Sequence, residues 1–232
     1  MWTLWDANVS LAQLQESAYV MCWAASWLGE DEVMFDSLSQ SGRKKMLRGI
    51  HQLLEEADAV VHWNGIRHDI PLLNKEFLEN KMVPPAPFKQ IDLLQTSKKV
   101  FKFPSNKLEY VCRALGVKEK LKTIGHELWT RCMAEDKEAW KMMKEYNIND
   151  VVILKDVYAR LLPWVKGHTN YSMLNETSER VCPRCGGTRH QKRGYTYTNA
   201  SKFQRFQCVS CGGWFKDNQI LNKKQYKTSE II

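Results

Sequence analysis

Four cysteines in the last quarter of the sequence are spaced as metal ligands. They form Cys182-Pro-Arg-Cys185 and Cys208-Val-Ser-Cys211, and 22 residues separate the two pairs. A glycine follows each pair, so each can fold into a tight turn that directs two thiolates to one point. Two such turns supply the four ligands that Zn²⁺ takes in structural sites and leave no open position for catalysis. The spacing therefore predicts a structural zinc site.

The alternative use of a Cys-x-x-Cys pair is redox chemistry, for which a second pair in matching context is unnecessary. The three other cysteines, Cys22, Cys112 and Cys132, are isolated in apolar or helical surroundings and are interpreted as reduced thiols. An odd total of seven cysteines argues against a disulfide framework. Residues 1–10 do not resemble a secretory signal. We therefore expect a reducing compartment, the cytoplasm, or the host cytoplasm if the protein is viral.

The segment between the cysteine pairs resembles a zinc ribbon. Tyr195–Tyr197 and Phe203–Phe206 are alternating runs on either side of a polar turn, which predicts a hairpin. The segment is too short to form its own hydrophobic core. The metal is therefore expected to supply much of its folding free energy.

Positive charge is concentrated in the same part of the chain. The whole sequence has a net charge of +8, and residues 176–232, with 11 basic and 4 acidic residues, account for +7 of it. Cations there can contact phosphates and the interleaved aromatic rings can stack on bases, which favours single-stranded nucleic acid as a partner. The alternatives are a solubility role for the charge and packing of the rings within the ribbon. The candidate nucleic-acid-binding residues are Lys192, Arg193, Tyr195, Lys202 and Arg205.

Two segments of the preceding 165 residues place acids beside apolar runs. In the first, the apolar run Ala59–Trp63 leads through Asn64-Gly65 to Asp69, which is predicted to open a helix. An acid in that position is also a common helix cap. In the second, Tyr146 and Asp150 are four residues apart, so on a helix they share one face.

The elements that must position these residues form a mixed α/β pattern. No apolar stretch approaches the roughly 20 residues needed to span a membrane, so no membrane association is expected. The predicted elements are a hairpin from segments 17–28 and 32–36, a helix over 42–57, a strand over 59–63, a helix over 69–80 and a short strand over 90–94. Ser105 is the predicted N-cap of a further helix that ends at Gly116, and one or two helices are predicted over 136–162. Strands interleaved with helices indicate an α/β domain.

Over residues 15–162, this pattern resembles the DEDD, or DnaQ-like, 3′–5′ exonucleases of the RNase H-like superfamily. The second motif of that family is similar to Asn64-x4-Asp69 and the third to Tyr146-x3-Asp150, while Asp92 stands where such enzymes often have an acid of less certain role. With the ribbon appended, the whole chain looks like phage-type exonucleases.

The resemblance implies a particular chemistry. In that family four carboxylates hold two Mg²⁺ or Mn²⁺ ions, one activating water and the other stabilising the leaving 3′ oxygen. Asp69 and Asp150 would be metal ligands, Tyr146 would orient the water and Asn64 would contact the substrate strand.

The first motif of the family, Asp-x-Glu on a central strand, is not found in residues 1–18. Asp6-Ala7-Asn8 is the nearest candidate, but it has Asn where Glu is needed. Two explanations remain open: a coding start upstream of Met1, or a shortened protein that is inactive alone and binds nucleic acid or is completed by another chain.

The resulting expectation is an α/β, RNase H-like mixed sheet with flanking helices, its N-terminal strand truncated, plus a small β zinc ribbon. The predicted boundaries are 1–165 for the exonuclease domain, 166–180 for a linker, 181–217 for the ribbon and 218–232 for a polar tail. The expected function is 3′–5′ hydrolysis of nucleic acid, with DNA favoured and single-stranded 3′ ends as substrate. The alternative is a non-catalytic nucleic-acid-binding protein that retains the exonuclease fold.

Overall fold

A computed structural model of the chain describes residues 17–118, 124–174 and 179–221. The described residues fall into two compact units. The first holds residues 17–92 and 124–153, and the second holds residues 93–118, 154–174 and 179–221. The elements in chain order are β1 (Cys22–Ala25), β2 (Met34–Ser37), α1 (Leu38–Glu56), β3 (Ala59–His62), α2 (Asp69–Glu79), β4 (Lys89–Asp92), α3 (Leu93–Val100), α4 (Leu108–Leu115), α5 (His126–Met133), α6 (Lys137–Leu161), a 3₁₀ turn (Leu162–Trp164), α7 (Tyr171–Leu174), β5 (His190–Tyr197), β6 (Lys202–Cys208) and β7 (Trp214–Ile220).

The first unit contains two pairs of strands. β1 and β2 pair antiparallel, which confirms the predicted hairpin. β3 and β4 pair parallel, and the register places His62 opposite Asp92. A parallel pair needs a crossover connection, and α2 supplies it between these two strands. Both strands of the parallel pair therefore run in one direction and end at the same edge.

Helix α1 begins four residues before its predicted start at Gly42. The Ser37 side chain accepts a hydrogen bond from the Gln40 backbone N–H, so Ser37 acts as the N-cap. Gly42 lies inside the helix with φ +72°, a left-handed conformation that glycine adopts at little cost, and it marks a kink. The sequence-based start was wrong because this glycine interrupts the helix without ending it.

The core of the first unit forms between α1, α2 and the segment before β1. It is made of the buried side chains Val20, Met46, Leu47, Ile50, Leu54, Leu73 and Phe77. A charged residue is enclosed beside it: Glu76, with 0% of its surface exposed, accepts hydrogen bonds from the Arg43 guanidinium at 3.1 Å and from the Val20 backbone N–H. The ion pair provides the partner that a buried carboxylate requires.

Helices α5 and α6 form a second cluster in this unit. Leu128, Cys132, Ala139 and Met143 are buried together, and Met21 and Cys22 pack against them. Asp136 opens α6 by accepting hydrogen bonds from the backbone N–H groups of Glu138 and Ala139. The segment predicted as one or two helices is thus a single helix of 25 residues. Helix α5 was not predicted.

In the second unit, α3 follows β4 without a break. The short strand predicted over 90–94 therefore ends at Asp92, and Leu93 and Leu94 are buried on the helix instead. Helix α4 ends at Gly116 with φ +63°, as predicted. The residue before α4 is Lys107, and the Ser105 hydroxyl accepts the Lys107 backbone N–H rather than capping the helix directly.

The second unit also holds a three-stranded antiparallel sheet in the order β5-β6-β7. β5 and β6 form the hairpin predicted between the cysteine pairs. β7 was not predicted, and it continues to Ile220, three residues beyond the expected end of the ribbon at 217. In the described part of the chain, no helix has the length and apolar character needed to cross a bilayer.

Candidate functional site

The ends of β3 and β4 bring two polar side chains together. The strands are parallel and in register at His62 and Asp92, the last residue of each, so both side chains lie at one edge of the pair. His62 is 8% exposed and Asp92 is 5% exposed, and His62 Nδ1 lies 4.0 Å from Asp92 Oδ1. Burial lowers the pKa of His62, although the charges of Asp92 and Asp69 act in the opposite direction.

The turn after β3 is tied to the end of β4. The Asn64 backbone N–H donates to Asp92 Oδ1 at 2.9 Å, and the Gly65 backbone N–H donates to His62 Nδ1 at 3.1 Å. Because His62 Nδ1 accepts a hydrogen bond, the proton of the neutral imidazole lies on Nε2. The predicted Asn64-Gly65 turn is therefore confirmed, and two side chains at the strand ends hold it.

Both residues of this turn are suited to their positions. Asn64 adopts φ +69°, the left-handed region that asparagine tolerates better than most residues. A Cβ added at Gly65 would lie 2.6 Å from the His62 ring, so the backbone approaches the ring as closely as it does because residue 65 has no side chain.

Asp69 follows this turn as the first residue of α2. The residue has an exposed surface, yet neighbouring protein atoms partly desolvate its carboxyl and raise its pKa. The charges of His62 and His68 lower the pKa, and the charge of Asp92 raises it. Asp69 and Asp92 are thus close enough to repel each other when both are ionised.

Tyr146 and Asp150 lie one turn apart on α6, which confirms their predicted helical placement. The same stretch of α6 contacts β1, because Asn147 Nδ2 lies 3.5 Å from Cys22 Sγ and also donates to the Met143 carbonyl at 2.8 Å. Burial raises the pKa of Cys22 to about 12, which disfavours the reactive thiolate.

The predicted site residues of the first unit lie on three neighbouring features of the chain. Asn64 and Asp69 belong to the turn after β3 and the start of α2, Asp92 at the end of β4 is bonded to that turn, and Tyr146 and Asp150 lie on α6. Sequence reasoning missed His62. A polar residue within the apolar run Ala59–Trp63 could have indicated that His62 is important. Its contact with Asp92 depends on the parallel pairing of β3 and β4, which the sequence does not show.

The four predicted zinc ligands converge in the second unit. Their sulfur atoms all lie within 4.8 Å of one another, with Cys182 and Cys211 at 3.7 Å and Cys185 and Cys208 at 3.7 Å. A tetrahedron of sulfurs around Zn²⁺ with bonds of about 2.3 Å has edges of about 3.8 Å. The donor set and its spacing fit zinc. Among the residues that the structure describes, this is the one group of three or more His, Cys, Asp or Glu side chains placed to hold a metal ion.

The two cysteine turns share one hydrogen-bonding pattern. In the first, the Gly186 N–H donates to the Cys182 carbonyl and the Gly187 N–H to Cys185 Sγ. Gly212 and Gly213 make the corresponding bonds in the second turn. Burial alone would raise the pKa of Cys208, but hydrogen bonds from the Cys211 and Ser210 backbone and from neighbouring cysteines lower it to about 7. The surroundings thus favour the thiolate at Cys208, whereas burial raises the pKa of Cys185 and of Cys211.

The chain before the first cysteine turn packs against it. The Tyr171 N–H donates to the Pro183 carbonyl at 2.7 Å, and the Arg184 guanidinium donates to the Pro163 carbonyl. A Cβ at Gly186 would collide with the Tyr171 ring. Tyr158, near the end of α6, has its pKa raised to about 12 by burial and by the charges of Cys185 and Cys211. Parts of the predicted linker thus pack on the cysteine centre.

The candidate nucleic-acid-binding residues of the ribbon all lie on β5 and β6. Lys192, Arg193, Tyr195 and Arg205 are exposed, and Lys202 is partly exposed. They do not share one surface. Lys202 Nζ lies 3.9 Å from the centre of the Tyr195 ring, whereas the Arg205 guanidinium lies 4.9 Å from the centre of the Trp214 ring.

Comparison with known proteins identifies the family of residues 14–162. A family model described as RNase H superfamily matches residues 14–162, which is more than half of the chain. None of the curated proteins compared with the chain matches it. The chain belongs to the RNase H superfamily, in agreement with the fold that the motifs implied.

Proposed function

We propose that this member of the RNase H superfamily is a metal-dependent 3′–5′ exonuclease that hydrolyses phosphodiester bonds of nucleic acid, with DNA favoured. The observation that carries the proposal is the pair of acids formed by Asp92, at the end of β4, and Asp69, at the start of the helix that follows β3. Asp92 is buried and holds the turn, and Asp69 is accessible at the start of α2 with a raised pKa. A carboxyl with a perturbed pKa beside a second, buried carboxylate is typical of a catalytic centre.

Asp69 and Asp150 are the residues that would hold Mg²⁺ or Mn²⁺. Carboxylate oxygens are the ligands that these ions prefer. The mutual repulsion of Asp69 and Asp92 also fits a cation, because a nearby positive charge would offset it. When bound, such ions polarise the phosphodiester and lower the pKa of a coordinated water molecule.

The other residues of the chain would bind and orient the substrate. The Tyr146 hydroxyl, one turn before Asp150, would position the attacking water. Asn64 would contact the substrate strand through its side chain, since its backbone N–H is already bonded to Asp92. Asp92 acts here as a positioning residue that keeps the turn before Asp69 in place.

A second candidate function is non-catalytic binding of nucleic acid. Among the described residues, the four cysteines are the one group of three or more His, Cys, Asp or Glu side chains placed to hold a metal ion. No such group of carboxylates is found in the described ranges, and this favours a function without catalytic metals. The positively charged ribbon would serve such a protein equally well. Only the exonuclease would remove nucleotides from a strand, so shortening of a bound strand distinguishes the two functions.

The test uses two labelled forms of one single strand, with the label at the 3′ end or at the 5′ end. An excess of protein with Mg²⁺ or Mn²⁺ makes slow cleavage measurable. A 3′–5′ exonuclease releases the 3′ label at once and shortens the 5′-labelled strand stepwise. Asp150→Ala should abolish this, whereas Asp156→Ala, an exposed acid on the same helix, should not. Binding with no cleavage would favour the second function, and equal cleavage by Asp150→Ala would contradict the first.

A further inference from the structure

One face of the ribbon sheet combines exposed aromatic rings with cations. β5 and β6 pair Tyr195 with Gln204 and Tyr197 with Lys202, and paired residues of antiparallel strands point to the same side. A bulge between Lys192 and Tyr195 shifts the register, so that Lys192, opposite Phe206, joins this side as well. Gly194, with φ +68°, provides the left-handed residue of the bulge. We call this surface the tyrosine face: Lys192, Tyr195, Tyr197, Lys202 and Gln204.

The two tyrosine rings on this face are accessible. Tyr195 is 44% exposed and Tyr197 is 68% exposed. The two residues are two positions apart on β5, so their side chains point to the same side of the sheet. Lys202 Nζ lies 3.9 Å from the centre of the Tyr195 ring and 5.9 Å from that of Tyr197. These two rings therefore stay accessible, whereas Phe206, on the same side of β6 but nearer to the cysteines, is buried and stacks on Phe215 at 5.4 Å.

The opposite face also pairs cations with rings, but of the two rings its cations cover only Trp214 is exposed, because Phe203 is buried. Arg205 lies on the other side of β6 from Lys202, since successive side chains of a strand alternate. Its guanidinium covers the Trp214 ring, and its Nε donates to the Arg193 carbonyl at 2.9 Å. Lys216 Nζ lies 4.1 Å from the centre of the Phe203 ring. The predicted nucleic-acid-binding residues are thus split between two faces.

The charge of the ribbon suits a polyanion. Residues 181–221 contain seven basic residues and one acid, a net charge of +6. That acid, Asp217, makes an ion pair with Arg180 at 2.7 Å. In this described stretch, no carboxylate is therefore left to repel a phosphate near the tyrosine face.

We propose that the tyrosine face binds single-stranded nucleic acid by stacking bases on Tyr195 and Tyr197 while Lys192 and Lys202 contact the adjacent phosphates. Stacking needs an open base face, which a duplex hides inside its base-pair stack. Side chains of an acidic peptide would satisfy the lysines but leave two exposed rings without a flat partner. Every base has a π-face, so binding is expected to tolerate changes of sequence.

The test measures binding of the full chain to a labelled 12-nucleotide oligo(dT) or oligo(U) by fluorescence anisotropy, without added Mg²⁺ or Mn²⁺. Removing one stacking ring, as in Tyr197→Leu, should weaken binding about tenfold or more, whereas Tyr197→Phe should bind nearly as well as the unchanged chain. Trp214→Leu is the matched control on the opposite face and should have little effect. Oligo(dT) and oligo(U) together show whether the face discriminates DNA from RNA.

A second pair of variants tests the cations on the two faces of β6. Lys202→Ala should weaken binding and reduce the salt slope of log Kd by about 1, and Arg205→Ala should do so less because its side chain lies on the opposite face of β6. Zinc content reports whether the ribbon of each variant folds. If Tyr197→Leu loses zinc, the comparison of Lys202→Ala with Arg205→Ala tests the proposal instead. The proposal fails if Tyr197→Phe loses as much affinity as Tyr197→Leu, or if Lys202→Ala and Arg205→Ala behave alike.

Competition experiments test whether the tyrosine face prefers single-stranded nucleic acid to other polyanions. A 12-base-pair duplex and polyglutamate should each displace the oligonucleotide poorly, and equal displacement by either would overturn base stacking. Binding to the ribbon is measured without catalytic metals, so it can succeed whether or not the chain cleaves its substrate. Failure here and failure of the proposed nuclease activity are therefore distinct results.

Discussion

Asp92 Oδ1 accepts the backbone N–H of Asn64 at 2.9 Å, and this bond joins the end of one parallel strand to the turn that follows the other. Asn64 adopts φ +69°, a conformation that an asparagine reaches at some cost. The bond helps to offset that cost, and it fixes the chain five residues before Asp69. A buried acid at the end of β4 thus influences where an accessible acid at the start of α2 lies.

Removing this acceptor should destabilise the first unit. Asp92→Ala leaves the Asn64 N–H in a partly buried place without a partner, which costs about 1–3 kcal/mol of unfolding free energy. Asp92→Asn keeps a carbonyl acceptor and should cost less. Urea denaturation measures both values, and amide hydrogen exchange at Asn64 should accelerate in Asp92→Ala alone. Equal destabilisation by the two variants would show that the charge of Asp92, and not the hydrogen bond, matters.

His62 should make stability depend on pH. Burial lowers its pKa below the ordinary value of 6.5, so the unfolded chain takes up the proton first as the pH falls. The contribution of neutral His62 is present above pH 6.5 and is lost as the pH falls toward the folded pKa. Between pH 7 and pH 5 the unchanged chain should therefore lose more unfolding free energy than His62→Asn, which keeps an acceptor for the Gly65 N–H. His126→Asn, at an exposed position, should lose as much as the unchanged chain.

Two glutamates on α2 should respond very differently to truncation. Glu76 is 0% exposed in its ion pair with Arg43, whereas the Glu79 side chain is 51% exposed and lies 3.6 Å from Lys75. Glu76→Ala leaves a charged guanidinium without its buried partner and should cost about 3 kcal/mol. Glu79→Ala should cost less than about 1 kcal/mol, as surface pairs do. Chemical denaturation gives both numbers, and similar costs would contradict the role of burial.

Local patterns predicted much of this fold. The hairpin, β3, α2, α4 and the cysteine turns are set by short-range signals: alternation, helical spacing, Asn64-Gly65 and glycines after Cys-x-x-Cys. These signals act within a few residues, so a single sequence reveals them. The start of α1 was missed because Gly42 reads as a boundary, and only the capping bond of Ser37 shows that the helix begins earlier.

The pairing of strands that are far apart in the sequence could not be predicted from these local patterns. The role of His62 depends on β3 and β4 being parallel and ending in register, and residues 62 and 92 are far apart in the chain. The split of Lys202 and Arg205 between two faces follows from strand alternation, but the inclusion of Lys192 on the tyrosine face depends on a bulge that shifts the register. Patterns identified residue types that could bind or react, and tertiary contacts decided which of them act together.

The cysteine centre should hold one zinc ion per chain. Four sulfurs at tetrahedral spacing with hydrogen-bonded turns fit Zn²⁺, and the ribbon has few other sources of stability. Cys208→Ser should release the metal and unfold the ribbon while the first unit keeps its structure. Metal analysis of the purified chain and circular dichroism measure the two effects. Less than about half an equivalent of zinc in the unchanged chain would contradict the structural role.

Catalysis should depend on Asp69, Asp150 and Tyr146 to different degrees. Because residues 1–18 offer no Asp-x-Glu pair, we expect the chain to release a 3′ label slowly with Mg²⁺ or Mn²⁺. An N-terminal extension that supplies an apolar strand with Asp-x-Glu should raise the rate strongly, since two-metal chemistry needs those charges.

In that extended form Asp69→Ala and Asp150→Ala should each remove most of the turnover, because each deletes a ligand charge, and Tyr146→Phe should reduce it least, because it alters only the positioning of water. Single-turnover release of the 3′ label measures all four proteins. If the chain without the extension already cleaves rapidly and Asp150→Ala abolishes that cleavage, the expectation that an added Asp-x-Glu pair is needed is wrong, and Asp6 is then the first residue to replace.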